Sequence, residues 1–203
     1  LFDIPAGTYT SDFDVSVDGS SETTIRYTLD GSTPSTSNGT IYTPGSPVRL
    51  ESYTSTLKAI AYRTGWTSST VTTANYKIKE AKYRTFRAQN LTNDSWYDVQ
   101  ATRLASGTSS LVYGENGSTI TSGPATATEF DTVIRPLVNT NFGTETDFDD
   151  NGKVILLMLD IRDGYTGSNG YVAGYFDPTQ YFAKISYPNS NEGEMLYLDG
   201  NPA

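Results

Sequence analysis

The sequence predicts a mainly β chain with some α, built as a β-sandwich over residues 1–79 followed by an α+β domain with a mixed sheet over residues 80–203. Three observations predict it. Residues 1–79 are rich in Ser, Thr, Gly and Tyr and carry short alternating runs separated by turn pairs, the pattern of half-buried strands in a small sandwich. Further on the period changes: Phe130, Val133, Ile134, Leu137 and Val138 fall at i, i+3, i+4, i+7 and i+8, one face of a helix. Then residues 154–159, VILLML, are apolar without a break, which marks a strand buried on both faces. At 203 residues the chain is comfortable for two cores, each commonly serving about 100 to 150 residues.

In order, residues 13–17 and 24–29 alternate, with Asp30-Gly31 as a turn signal, and residues 47–50, 55–62 and 71–78 supply the remaining strands of the sandwich. Tyr27, Leu29, Leu57, Ile60, Tyr62 and Trp66 are its expected core, since aromatic residues in short-stranded sandwiches usually fill them. The alternative is an exposed row of Tyr42, Tyr53 and Trp66 on which a sugar could stack. Lys77, Lys79, Lys82, Arg84 and Arg87 form a basic cluster, read as a solvated strand face where the domains join. Residues 83–89, 96–104 and 110–113 are short strands. Thr126-x-x-Glu129 reads as a capping-box helix start, and Pro136 should kink or split the helix because it removes a backbone donor and crowds the preceding turn. Beyond the central strand, residues 170–178 and 194–199 are the last two strands, the first carrying two glycines that suggest a bulge or a close backbone approach.

Composition excludes much chemistry. With 14 Lys+Arg against 23 Asp+Glu and a net charge of -9, the surface repels phosphate backbones and anionic membranes, so no nucleic-acid partner is expected. The apolar run is far shorter than the ~20 residues of a membrane span, and Leu1-Phe2-Asp3 is not the start of a signal peptide. There is no Cys and no His, which removes disulfides, thiol nucleophiles, Ser-His-Asp triads and every His-ligated zinc site from these residues. Carboxylates remain. Asp147-x-Asp149-x-Asn151-Gly152 matches the first half of an EF-hand loop, making Asp147, Asp149 and Asn151 a candidate calcium site, although the twelfth position falls on Met158 and a strand follows instead of a helix. An acidic hairpin turn with solvated carboxylates is the plainer reading. Asp160, Asp163, Asp177, Glu192 and Glu194 are the carboxylates from which a glycosidase pair would have to come.

Two resemblances add to this reading. IRYTLDGSTPSTSNGTIYTPGSPVRL followed by STLKAIAYRTGWTSSTVTTANYKI resembles the chitobiase/β-hexosaminidase C-terminal module, an immunoglobulin-like sandwich appended to secreted bacterial enzymes; this implies an accessory domain with carbohydrate as its candidate ligand. DFDDNGKVILLMLDIRDG, GYVAGYFDP and NEGEMLYLDGNP, in that order, resemble the hyicolysin-type bacterial zinc metalloproteases, in the portion that precedes their His-Glu-x-x-His helix. The resemblance implies a secreted or cell-surface bacterial protein, a peptide or protein substrate and zinc in the full-length protein only, with these 203 residues inactive on their own. It also implies an edge strand that pairs with extended substrate, for which Gly170, Tyr171, Val172, Ala173, Gly174 and Tyr175 are the candidates. The reading from another class is a non-catalytic binding or adhesion protein.

Overall fold

In the computed structural model, which describes residues 2–168 and 170–200, the chain separates into two units, Leu1–Lys82 and Tyr83–Ala203. The first is all β: β1 (Gly7–Tyr9), β2 (Phe13–Val15), β3 (Thr24–Thr28), β4 (Thr40–Ile41), β5 (Val48–Leu50), β6 (Thr54–Tyr62) and β7 (Thr72–Ile78). One sheet has the order β1-β7-β6-β3-β4, and a two-stranded sheet pairs β2 with β5. The alternating runs become alternating burial: Leu57 and Ala59 of β6 and Ala74, Tyr76 and Ile78 of β7 point inward. They share one core with Val15, Val48 and Leu50 of the small sheet, so the two sheets form opposite walls of a single apolar layer. Each fully buried Leu there contributes about 2 kcal/mol.

The expected core needs four corrections: Ile60 and Tyr62 are half-buried on the face of β6 opposite Leu57 and Ala59 and lie outside the core, and two more residues are exposed. Trp66 is 71% exposed and Leu29 37%, because Leu29 lies just past the end of β3 and Trp66 sits in the loop between β6 and β7. No exposed aromatic row replaces them: Tyr42 is buried and Tyr53 packs half-buried against the core, which leaves Trp66 with Arg63 over its ring at 5.7 Å.

The second unit holds β8 (Tyr83–Asn90), β9 (Ser95–Ser106), β10 (Ser110–Glu115), α1 (Gly123–Glu129), α2 (Arg135–Phe142), β11 (Val154–Leu159), β12 (Gly174–Tyr175) and β13 (Met195–Asp199). Its sheet has the order β12-β13-β11-β10-β9-β8. It is mixed: β10, β11 and β13 run parallel, whereas β8, β9 and β12 join by antiparallel pairing. As the unbroken apolar run requires, all six residues of β11 are buried. Ile155, Leu157 and Leu159 face a core shared with Phe86, Val99, Leu111, Tyr113, Met195 and Tyr197. Val154, Leu156 and Met158 face the other way, onto Val112, Ala127 and Phe130. The basic cluster is not a uniformly solvated face, since Arg84 is only 3% exposed, its guanidinium over Phe86 at 4.8 Å and donating to the Asn191 carbonyl.

The helix begins earlier than expected. Gly123 starts it, with Pro124 in the first turn where a missing N–H is harmless, so Thr126 lies inside and its hydroxyl donates to the Ser122 carbonyl instead of capping. Pro136 divides it as anticipated: Phe130–Ile134 is a π-helical segment, in which the Arg135 N–H reaches back to the Phe130 carbonyl, before α2 resumes. Burial ends with this segment, and no residue of α2 is buried. Phe130 is buried, but Val133, Ile134, Leu137 and Val138 are each 43–63% exposed, contrary to the face predicted from a straight helix. Among the described residues no helix is long and apolar enough to cross a membrane.

The outer edge of β8 is covered rather than open. The N–H groups of Arg87, Gln89 and Leu91, at i, i+2 and i+4, donate to Asn191 Oδ1 (2.7 Å), the Tyr175 hydroxyl (3.2 Å) and the Arg162 carbonyl (2.9 Å). Groups from beyond β11 thus satisfy a row of donors that would otherwise invite a foreign strand.

Candidate functional site

Two places in the second unit gather the residues singled out in the sequence. The first is the turn before β11. Because β10, β11 and β13 are parallel, this turn ends a helical crossover and is not a hairpin. Asp150 and Gly152 take positive φ there, 55° and 69°. Asp147 holds the turn with both oxygens, Oδ1 accepting from the Asn151 N–H (2.9 Å) and Oδ2 from the Gly152 N–H (3.1 Å). Asn151 is turned inward: its Oδ1 accepts from the Lys153 N–H (2.6 Å) and its Nδ2 donates to Asp149 Oδ2 (2.7 Å).

Of the expected trio the structure brings Asp147 and Asp149 together, and it adds Glu194. One carboxylate oxygen from each of the three lies within 4.8 Å of the others. Glu194 ends the loop before β13, and parallel pairing of β11 with β13 places it beside the acidic turn, with Ile155 N–H donating to its carbonyl at 2.7 Å. Its side chain is 2% exposed. Oε1 accepts from the Phe148 N–H (2.7 Å) and the Thr146 hydroxyl (3.3 Å); Oε2 is buried without a hydrogen-bond partner. Gly193 allows the approach, since a Cβ there would stand 3.2 Å from Asp149 Oδ2. Tyr181 titrates above the usual phenol range, through burial first and then the negative charges of Glu194 and Glu145. Asp147 and Asp149 were legible as an alternating acidic run; Glu194, 48 residues from Thr146, carried no local signal for a metal.

The second place is the β12 end of the sheet. The strand expected over residues 170–178 is a strand only at Gly174–Tyr175. The reason is Asp163, whose Oδ2 accepts from the Val172 N–H (2.6 Å) while its Oδ1 accepts from the Tyr165 N–H (2.9 Å), holding the stretch before Ala173 as a loop. These two donors keep its carboxyl below the ordinary range. β12 lies at the end of the sheet, antiparallel to β13, with Gly174 opposite Leu198 and Tyr175 opposite Tyr197. The Tyr175 and Tyr197 rings stack at 4.3 Å, and burial pushes both hydroxyls far up in pKa. Gly170 and Tyr171 are exposed, Val172 half-buried, and the Ala173 carbonyl accepts from the Asp199 N–H at 2.9 Å. Of the remaining carboxylates, Asp177 accepts from the Thr179 N–H and Glu192 from the Lys184 N–H, while Asp160 is exposed at the end of β11, its own N–H donating to Glu115 Oε2 (3.0 Å). Asn201 and Pro202, which belong to the third block of the resemblance, lie outside the described residues.

Residues 15–76 match the family model described as Fn3 associated, which covers the strands that resembled the chitobiase module. The chain is also 40% identical over 75 residues to the neutral metalloprotease ShpI of Staphylococcus hyicus. That match takes in 37% of this chain and 16% of the relative. The chain therefore carries a metalloprotease-related region and spans only a small part of the relative's length.

Proposed function

We propose that this chain is the N-terminal fragment of a secreted bacterial zinc metalloendopeptidase of the hyicolysin type, with an immunoglobulin-like accessory sandwich ahead of the sheet-forming part of the protease domain. The observation that carries the reading is the 40% identity to a neutral metalloprotease. The mixed sheet supports it: parallel β10, β11 and β13 end in a short antiparallel strand at the sheet's border, where an extended peptide can pair through its backbone. Gly174 and Tyr175, with residues 170–173 leading in, are the substrate-facing segment in this reading. The residues present offer no His and no Cys, so the zinc would be held by residues beyond these 203, and these residues would contribute substrate alignment alone.

The test is a casein-cleavage assay on two proteins, the 203-residue chain and one extended downstream by its own coding sequence. The reading expects no cleavage by the first and chelator-sensitive cleavage by the second. Cleavage by the short chain, or chelator-resistant cleavage by the long one, would refute it. A stable extended protein that cleaves nothing and is captured on a polysaccharide resin would favour the binding or adhesion reading.

A further inference from the structure

We propose that Asp147, Asp149 and Glu194 form a calcium site that joins the end of the helical crossover to the start of β13. The proposal is independent of the peptidase reading. Three carboxylates within 4.8 Å of one another fit a single ion, because oxygens about 2.4 Å from a shared calcium can be no more than about 4.8 Å apart. The donor set is oxygen only, which suits a hard cation rather than zinc or copper.

The second observation is Glu194 itself. It is 2% exposed, and its Oε2 is buried with no hydrogen-bond partner. An ionised carboxylate taken out of water keeps its charge only when each oxygen is compensated, and Oε1 alone is served by Phe148 and Thr146. A cation between Glu194 and the two aspartates supplies what Oε2 lacks. Asn151 then acts as a positioning residue, its amide holding Asp149 Oδ2 at 2.7 Å. Mutual repulsion of three carboxylates makes the ion-free form the less stable one, so the ion fixes how the turn before β11 meets the loop before β13.

The test uses the full 203-residue chain, stripped with a chelator and titrated with CaCl2 by calorimetry, with parallel thermal melts. One ion per chain is expected. With a dissociation constant near 100 µM, as in extracellular calcium modules, 10 mM CaCl2 raises the second unit's melting temperature by about 8 °C. Glu194→Gln should abolish the binding heat and the shift while melting, without calcium, no lower than the stripped wild type, because it removes a repulsive charge. Asp149→Asn should weaken binding at least tenfold, and decides the matter if Glu194→Gln does not fold. Absence of binding heat and of any melting shift at 10 mM CaCl2 in the wild type would overturn the proposal. So would an equal shift with MgCl2, or a calcium shift that survives in both variants.

Discussion

Replacing Asn191 with Ala tests how the second unit closes its sheet. Asn191 is 2% exposed, and its side chain acts like a strand residue toward Arg87: Oδ1 accepts from the Arg87 N–H at 2.7 Å and Nδ2 donates to the Arg87 carbonyl at 2.9 Å. The two amide hydrogens are shared with Gln180 Oε1 (2.8 Å) and the Tyr197 hydroxyl (2.9 Å). In Asn191→Ala, Gln180 Oε1 keeps the Asn191 backbone N–H and the Arg87 carbonyl keeps the Tyr197 hydroxyl. Only the Arg87 N–H is orphaned, which costs about 2 kcal/mol, and two lost hydrogen bonds add about 1 kcal/mol each. The sum is about 4 kcal/mol. In a Trp66→Phe background, Trp96 is the one tryptophan left and reports the second unit during urea unfolding. With a slope of about 2 kcal/mol/M, the midpoint should fall by about 2 M. A fall below about 0.5 M would refute the claim that this side chain closes the edge of β8.

Other perturbations separate packing from backbone and charge. Gly174→Ala places a Cβ 2.8 Å from the Tyr197 carbonyl oxygen, and the displaced β12 should cost about 1–3 kcal/mol, measured by the same unfolding curves. Pro136→Ala restores a backbone donor in the first turn of α2, just after the π-helical segment, and should leave stability within about 1 kcal/mol while changing far-ultraviolet dichroism, since the surrounding face is already exposed. Asp131 has a lowered pKa: burial acts to raise it, but bonds from the Ser109 and Thr108 amides and the Ser109 hydroxyl outweigh that. Its folded pKa lies below the unfolded value near 3.9, so its contribution is present above that pH and is lost as pH falls through the folded pKa. Asp131→Asn should therefore lower stability at pH 7 and flatten its decline below about pH 4, read from urea midpoints across pH; an unchanged pH profile would contradict this.

What could be read in the sequence had a local period. β6 and β7 were visible because alternate residues face one core, and β11 because six consecutive residues are apolar. β1 and β4, three and two residues long, were invisible because so short a stretch shows no period. The helix was legible, and so was its break at Pro136, but not how far burial would extend: Ala127 and Phe130 meet the sheet, whereas no residue of α2 is buried. Residues 170–173 read as strand because nothing local reveals that Asp163 takes the Val172 N–H. Asn191 with Arg87 and Glu194 with Phe148 are separated by 104 and 46 residues. Such pairings come from the tertiary arrangement of strands and loops, which one sequence does not display.

Reading the coding DNA onward from the codon for Ala203 tests most directly the proposal that these residues are part of a metallopeptidase. A His-Glu-x-x-His sequence in a helical context is expected within the next few tens of codons. Two His one helical turn apart would face one zinc, with the Glu between them as general base. A stop codon directly after Ala203, or a long downstream region without that sequence, would contradict it.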